Sequence, residues 1–370
     1  MLEVRTAVLS DKEAYRELWR ICFGDSERFM DWFFSERFFP EYSSCLLEDG
    51  AMMSALQSYP LHVRIRNQIL PASMLTGVST HPERSGRGYM KQIFLHHMQR
   101  VRSFGIPIVF HTPAHLPTFF SRGHFPATDT LHLTLANAHA DALPEGISRQ
   151  DPYNGLGPLQ VCYHKATARY SGCVSRTAAD FAYKLRDYAS DGALCLVRRA
   201  GADVLGYCVY YVTDNRVHAE ECFALDGETL SLLLRALCFE AAGRELHVKL
   251  PPDAPAHLDG AVLETRPQGV MGIADVSAAL NAVVGDGSYV FEVADSTVPQ
   301  NAGVWDGAGK RTDSAPQIRL EAGRLGQFLC GYRSIMELAG DGEAEILDAA
   351  AARALDRAFP KELCFVADEY

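Results

Sequence analysis

Residues 74–101, MLTGVSTHPERSGRGYMKQIFLHHMQRV, read as an apolar strand, a turn with two glycines, and an amphipathic helix. Met90, Ile93, Phe94, His97, Met98 and Val101 fall on one helical face, the spacing of a helix packed against a core. Gly86 and Gly88 remove side chains where the chain must turn sharply and where backbone N–H groups must approach a ligand. The first N–H groups of a helix have no intrahelical partner, and the helix dipole adds partial positive charge there. With Arg84, Arg87 and Lys91 close by, the turn predicts a cradle for a pyrophosphate built from Gly86, Arg87, Gly88, Tyr89, Met90 and Lys91. A Gly-x-Gly turn alone also serves any tight strand-to-helix connection, so the reading rests on what surrounds it.

Upstream, AYRELWRICF and SERFMDWFFSERF have helical spacing. SSCLLED, MSALQSYPLHVRIR and ILPASMLTGVST then read as strands, with Asn67-Gln68 as the hairpin turn. Downstream, Gly105 closes the helix, and IPIVFHT and LHLTL supply further strands around the loop PAHLP. Small and polar residues at ANAHADALPEG mark a linker. After it, the helix AADFAYKLRDY, three strands and the helix ETLSLLLRALCFEAA repeat the order of the first unit with little sequence in common. A third unit begins near Arg266, with the helix DVSAALNAV, a strand pair around SYVFEVADS and AGVWDG, and two late helices.

The chain has 370 residues, 48% of them hydrophobic, enough for two or three cored domains. A formal net charge of -11 disfavours a nucleic-acid partner, because phosphate contacts need clustered Lys and Arg. The acidic balance fits a cationic substrate and equally an ordinary soluble enzyme. Ten cysteines lie mostly in apolar runs without a CxxC or CxxH pair, the pattern of buried thiols in a reducing, cytoplasmic compartment with no metal site. No signal peptide and no membrane span are expected.

GVSTHPERSGRGYM, followed by a helix, a strand and FFSRGHF, resembles the GNAT acetyltransferase superfamily. RPQGVMGIADVSAAL, LGQFLCGYRSIMELA and the closing AFPKELCFVADEY are similar to its Eis-like (enhanced intracellular survival) branch. The resemblance implies an α/β and α+β chain: tandem GNAT folds over 1–138 and 139–265, then a sterol-carrier-like α+β domain over 266–370. It implies acetyl-CoA as co-substrate, a primary amine of a small cationic molecule as acceptor, and a homo-oligomer, trimer or hexamer.

Site residues follow from the same resemblance. Val78, Ser79 and Thr80 would present backbone donors to the thioester carbonyl, and Ala114 and His115 would line the coenzyme A cleft. The carboxylate of Tyr370 would act as general base. The usual tyrosine acid falls on Phe119, or on Phe120 with a one-residue shift, and neither ring can donate a proton. His111, His115 and His124 are histidines of that loop suited to proton transfer, His124 being the candidate acid, unless the thiolate leaves without full protonation. Phe23, Asp25, Trp32 and Glu369 would line the acceptor pocket, with Asp25 equally placed to cap the following helix. The second unit lacks the glycine turn and should not bind a second coenzyme A. Two other functions stay open: transfer of a larger acyl group, and acyl-CoA or lipid binding without catalysis.

Overall fold

Leu61, Val63 and Ile65 are buried while His62 is exposed between them, the two-residue period of a strand covered on one face. The chain then turns at Arg66-Asn67, with Arg66 at φ +52°, and pairs back so that Ile65 faces Gln68. This hairpin, one residue earlier than the sequence suggests, is the longest in the protein. The computed structural model describes residues 1–112 and 117–369.

The N-terminal segment contains β1 (Leu2–Thr6), α1 (Lys12–Phe23), α2 (Glu27–Glu36), β2 (Ser44–Glu48), β3 (Ala51–Ile65), β4 (Gln68–Thr80), α3 (Tyr89–Ser103), β5 (Ile108–His111) and β6 (Phe125–Leu135). The first five strands lie in chain order, antiparallel except for the parallel pair β4–β5. Neighbouring residues serve opposite faces. Leu46 and Leu56 pack with Phe94 and Met98 of α3, whereas Cys45 and Ala55 pack with Trp19 of α1 and Phe33 and Phe34 of α2.

The middle of the chain repeats that plan. It holds β7 (Ile147–Gln150), α4 (Leu156–Thr167), α5 (Ala178–Ser190), β8 (Leu194–Ala200), β9 (Asp203–Val212), β10 (Arg216–Ala224), α6 (Gly227–Ala241) and β11 (Glu245–Leu250). Again one parallel pair, β10–β11, follows antiparallel neighbours and encloses a long helix. The remainder is β12 (Val262–Ile273), α7 (Val276–Val283), β13 (Val290–Ala294), β14 (Gly303–Asp306), β15 (Ile318–Glu321), α8 (Ala322–Cys330), α9 (Ile335–Gly340), β16 (Ala344–Ile346) and α10 (Ala349–Ala358). Its own sheet has the order β14-β13-β15-β16.

The sequence reading did not find β7, β11, β12, β15, α4 or α9, and it read β16 as part of the helix that is α10. β12 starts with the exposed VLETRP, and α4 follows the loop-like NGLGP. Two compact units result. Met1–Thr128 joins Gln268–Cys364, Asp368 and Glu369 in the first; Asp129–Pro267 joins Phe365–Ala367 in the second. The segments expected as first and third domains therefore share a unit. Among the described residues no helix is long and apolar enough to cross a membrane.

The tip of the β3–β4 hairpin does specific work within the first unit. Arg66, almost fully buried, donates to the carbonyls of Phe328 and Leu329 at 3.1 Å each, in the last turn of α8. It also donates to Phe359 at 3.2 Å and Pro360 at 2.5 Å, just past α10, and lies 3.4 Å from Glu362. One guanidinium thus caps two helix C-termini, whose terminal carbonyls lack intrahelical donors and carry the negative dipole end. Burial lowers its pKa, but a guanidinium stays charged.

Arg66→Ala would leave the buried Phe328 and Leu329 carbonyls, and those of Phe359 and Pro360, without this donor. The expected loss is about 3 kcal/mol of unfolding free energy, measured by urea denaturation. A loss within about 0.5 kcal/mol would contradict the capping role.

Candidate active site

β4 and β5 pair at Ala72↔Ile108, Ser73↔Val109 and Met74↔Phe110, and then part. β4 continues to Thr80, so the edge of Leu75–Thr80 turned away from β3 has no strand partner among the described residues. A bulge breaks the β3–β4 register between Ala55 and Gln57, opposite Gly77 and Val78. Gly77 has φ +56°, and a Cβ there would sit 2.2 Å from the Trp19 ring. No other residue fits both the backbone angle and the contact. Bulges redirect backbone groups, so Val78, Ser79 and Thr80 stand on an open, re-aimed strand edge. The Ser79 carbonyl already accepts from Ser54 Oγ at 2.8 Å, which ties the bulge to β3.

The turn at 81–88 ends in two left-handed glycines, Gly86 at φ +77° and Gly88 at φ +76°, with Gly88 the N-cap of α3. A Cβ at either would meet nothing within 4 Å, so here glycine supplies the angle and leaves open space in front of the helix. No side chain caps α3 and its first turn has no acid, leaving the N–H groups of Tyr89, Met90 and Lys91 for an anion. The basic residues divide. Glu48 of β2 binds Arg84 in an ion pair, accepts from Tyr89 Oη at 3.0 Å and lies 3.8 Å from Arg87. The Arg84 hydrogen bond holds the Glu48 carboxyl below its usual range. Arg87 and Lys91 remain exposed.

Arg122 was not anticipated. Its Nε lies 3.1 Å from Met90 Sδ, and with Lys91, Ser121 and Thr297 it lines a cavity of about 320 Å³ along α3. Only its place in the loop after PAHLP hinted at it.

Three of the four residues expected to line an acceptor pocket, Phe23, Asp25 and Trp32, gather around Trp19. The Phe23 ring lies 4.8 Å from Trp19, and Asp25 accepts from the Trp19 indole N–H at 2.8 Å. Ser26, not Asp25, caps α2, accepting from the Phe29 N–H at 3.1 Å. Trp32 belongs to the same aromatic cluster, 6.2 Å from Phe29. Since Trp19 rests on Gly77, this cluster backs the β4 bulge. Glu369 accepts from Gln268, and the Asp368 carbonyl accepts from Thr112 Oγ1 at 3.2 Å, one residue past β5. The C-terminal segment therefore reaches the point where β4 and β5 have parted. Tyr370, Ala114 and His115 lie outside the described residues.

The position of the expected acid is apolar. Phe119 is buried, its ring 3.9 Å from His111 and 5.9 Å from Phe94; Phe120 is partly exposed. His124 packs against Gly272, where a Cβ would lie 2.2 Å from the imidazole, and neither of its ring nitrogens has a partner among the described residues. Burial lowers the pKa of His124 to about 3, as it does for His97, and holds His111 well below 6.5. A neutral, enclosed His124 is poorly suited to deliver a proton. His111, at the end of β5, is neutral too.

Residues 3–125 match the family model for the acetyltransferase (GNAT) domain, and residues 276–366 match that for the sterol carrier protein domain. Three solved structures superpose over 100% of both chains. They are a probable N-acyltransferase from Enterococcus faecalis (18% identity, TM-score 0.83), a GCN5-related N-acetyltransferase from Kribbella flavida (19%, 0.77) and Eis1 from Mycobacterium abscessus (16%, 0.75). At these identities the likeness is one of fold. No curated protein gives a significant match.

The buried histidines make stability depend on acid. In the unfolded chain they titrate near 6.5, whereas His97 and His124 bind a proton in the fold only near pH 3. Stability is therefore full above pH 6.5 and falls from there toward pH 3, by up to about 1.4 kcal/mol per pH unit for each histidine. Urea unfolding at pH 7 and pH 5 should show this loss, and His97→Leu should reduce it. An identical pH dependence in His97→Leu would contradict the assignment.

Proposed function

With a GNAT acetyltransferase domain joined to a sterol carrier protein domain in an Eis-like fold, we propose that this acyltransferase moves acetyl from acetyl-CoA to a primary amine of a small cationic substrate. The observation that carries the reading is the parting of β4 from β5 after Met74, with the uncapped glycine turn at one end and the C-terminal segment at the other.

The N–H groups of residues 88–91 would hold the pyrophosphate, with Arg87 and Lys91 neutralising charge. Arg84 would contribute only on leaving Glu48. The thioester would lie along the open edge of β4, its carbonyl oxygen toward the backbone donors of Val78, Ser79 and Thr80. The amine nitrogen attacks the carbonyl carbon, the oxyanion gathers charge at those donors, and the carbon–sulfur bond then breaks. The amine's proton passes to the carboxylate of Tyr370. The coenzyme A thiolate takes its proton from water, since Phe119 has none to give.

An α-carboxyl titrates near 3.5 and an alkylammonium near 10, so direct transfer between them is uphill. The base therefore acts through a water or on the neutral-amine fraction. Acceptor selection would fall to Phe23, Trp32, Asp25 and Glu369. Both carboxylates are already oriented, by the Trp19 indole and by Gln268, and suit a cation.

The test is release of free thiol from acetyl-CoA against polyamines and aminoglycosides. The native chain should turn over at least one of them. A chain extended past Tyr370 should lose about a hundredfold in kcat with little change in KM for acetyl-CoA. An extended chain as active as the native one would remove the carboxylate from the mechanism. Faster release from longer acyl-CoAs would assign a larger acyl donor. Coenzyme A binding with no release to any amine would contradict the transferase reading.

A further inference from the structure

The second unit repeats the parting of strands. β10 pairs in parallel with β11 from Arg216↔Glu245 to Ala219↔Val248, a register shift against β9 falls between Ala219 and Glu221, and β10 runs on to Ala224 paired with β9 but no longer with β11. The chemistry at its end is different. Asp226 caps α6, accepting from the Thr229 N–H at 2.7 Å and hydroxyl at 2.9 Å, and Glu228 follows in the first turn. A carboxylate thus already occupies the helix terminus where a pyrophosphate would bind, and like charge opposes a second one.

What the parted strands leave is a cavity of about 510 Å³, within the size range of small-molecule sites. Its walls are mostly apolar: Ala168, Phe223, Leu225, Leu230, Pro251 and Ala254 among them. Of its charged groups Arg169 and Asp253 are paired, whereas Asp226 keeps its negative charge and Lys165 its positive one. Arg169 pairs with Asp253 at 2.8 Å, Tyr170 donates to Asp253 at 2.6 Å, and Asp226 serves the cap. Lys165, in the last turn of α4, makes no ion pair among the described residues. A second cavity of about 300 Å³, lined by Val161, Val204 and Asp203, shares Lys165 and Leu225 with the first. An unpaired ammonium at the junction of two largely apolar cavities matches a ligand with one negative end and a hydrocarbon body.

We propose that the second unit is a binding site for an aliphatic carboxylate of the fatty-acid class, its carboxylate on Lys165 and its chain in the larger cavity. This site is separate from the residues assigned to acyl transfer and does not depend on that assignment.

The probe is 11-(dansylamino)undecanoic acid, titrated by fluorescence into the full-length protein beside its methyl ester. Saturation with the acid near one equivalent is expected, with the ester about tenfold weaker for want of a charge. Lys165→Glu, which reverses the charge, and Ala168→Trp, which fills the exposed rim, should each weaken the acid about tenfold or more. Lys165→Arg should restore it, and thiol release from acetyl-CoA should stay unchanged in all three. The proposal is overturned if the acid does not saturate, if Lys165→Glu or Ala168→Trp binds as the native chain does, or if the ester binds equally well. If a variant melts early, the comparison of acid with ester on the native protein decides. Displacement of the probe by coenzyme A would also overturn it, since Asp226 excludes that ligand.

Discussion

Two parallel strands that pair for three residues and then separate set the terms for the first unit. Every backbone group on the free edge of β4 beyond Met74 needs a partner, and β5 does not supply one. The gap survives because other contacts hold it. Gly77 bends β4 onto Trp19, Trp19 is fixed by Asp25, and Ser54 ties the Ser79 carbonyl back to β3. At the far end two left-handed glycines launch α3 without a cap. The proposed coenzyme A thioester, with a polar thread and an anionic end, would complete both sets of groups at once. The second unit keeps the gap but has a capped helix start, because Asp226 supplies internally what the first unit leaves open.

The C-terminal segment reaches the gap along a fixed course. Arg66 holds its start at Phe359 and Pro360, the Glu362 N–H bonds the Gly331 carbonyl, and the buried Cys364 and Cys330 lie side by side. Thr112 and Gln268 then receive Asp368 and Glu369. A segment ordered in this way through Glu369 costs conformational entropy, which a frayed one would keep. Its course past the end of β5 supports the proposed part of Tyr370 in proton transfer.

The segment 74–101 was legible because its chemistry is local: glycines at the turn, an apolar stripe on the helix, no acid in the first turn. The repeat of strand and helix order was also legible, since periodicity survives where sequence identity does not. What depended on distant partners was not. Glu48, thirty-six positions from Arg84, diverts that arginine from the expected phosphate site, and nothing in PERSGRG signals it. Asp25, placed equally to line the acceptor pocket or to cap the helix, accepts from Trp19, and Ser26 takes the cap. His124 looked like a proton donor in a loop, and burial against Gly272 makes it a neutral core residue. Gly77 carries no sequence signal at all; its need arises only when Trp19 arrives.

In the proposed mechanism the first gap binds coenzyme A and the second does not. Amide hydrogen exchange with and without acetyl-CoA measures both at once. Protection should rise at 75–80 and 86–91 and stay unchanged at 220–230. Protection at 220–230, or none at 86–91, would contradict it.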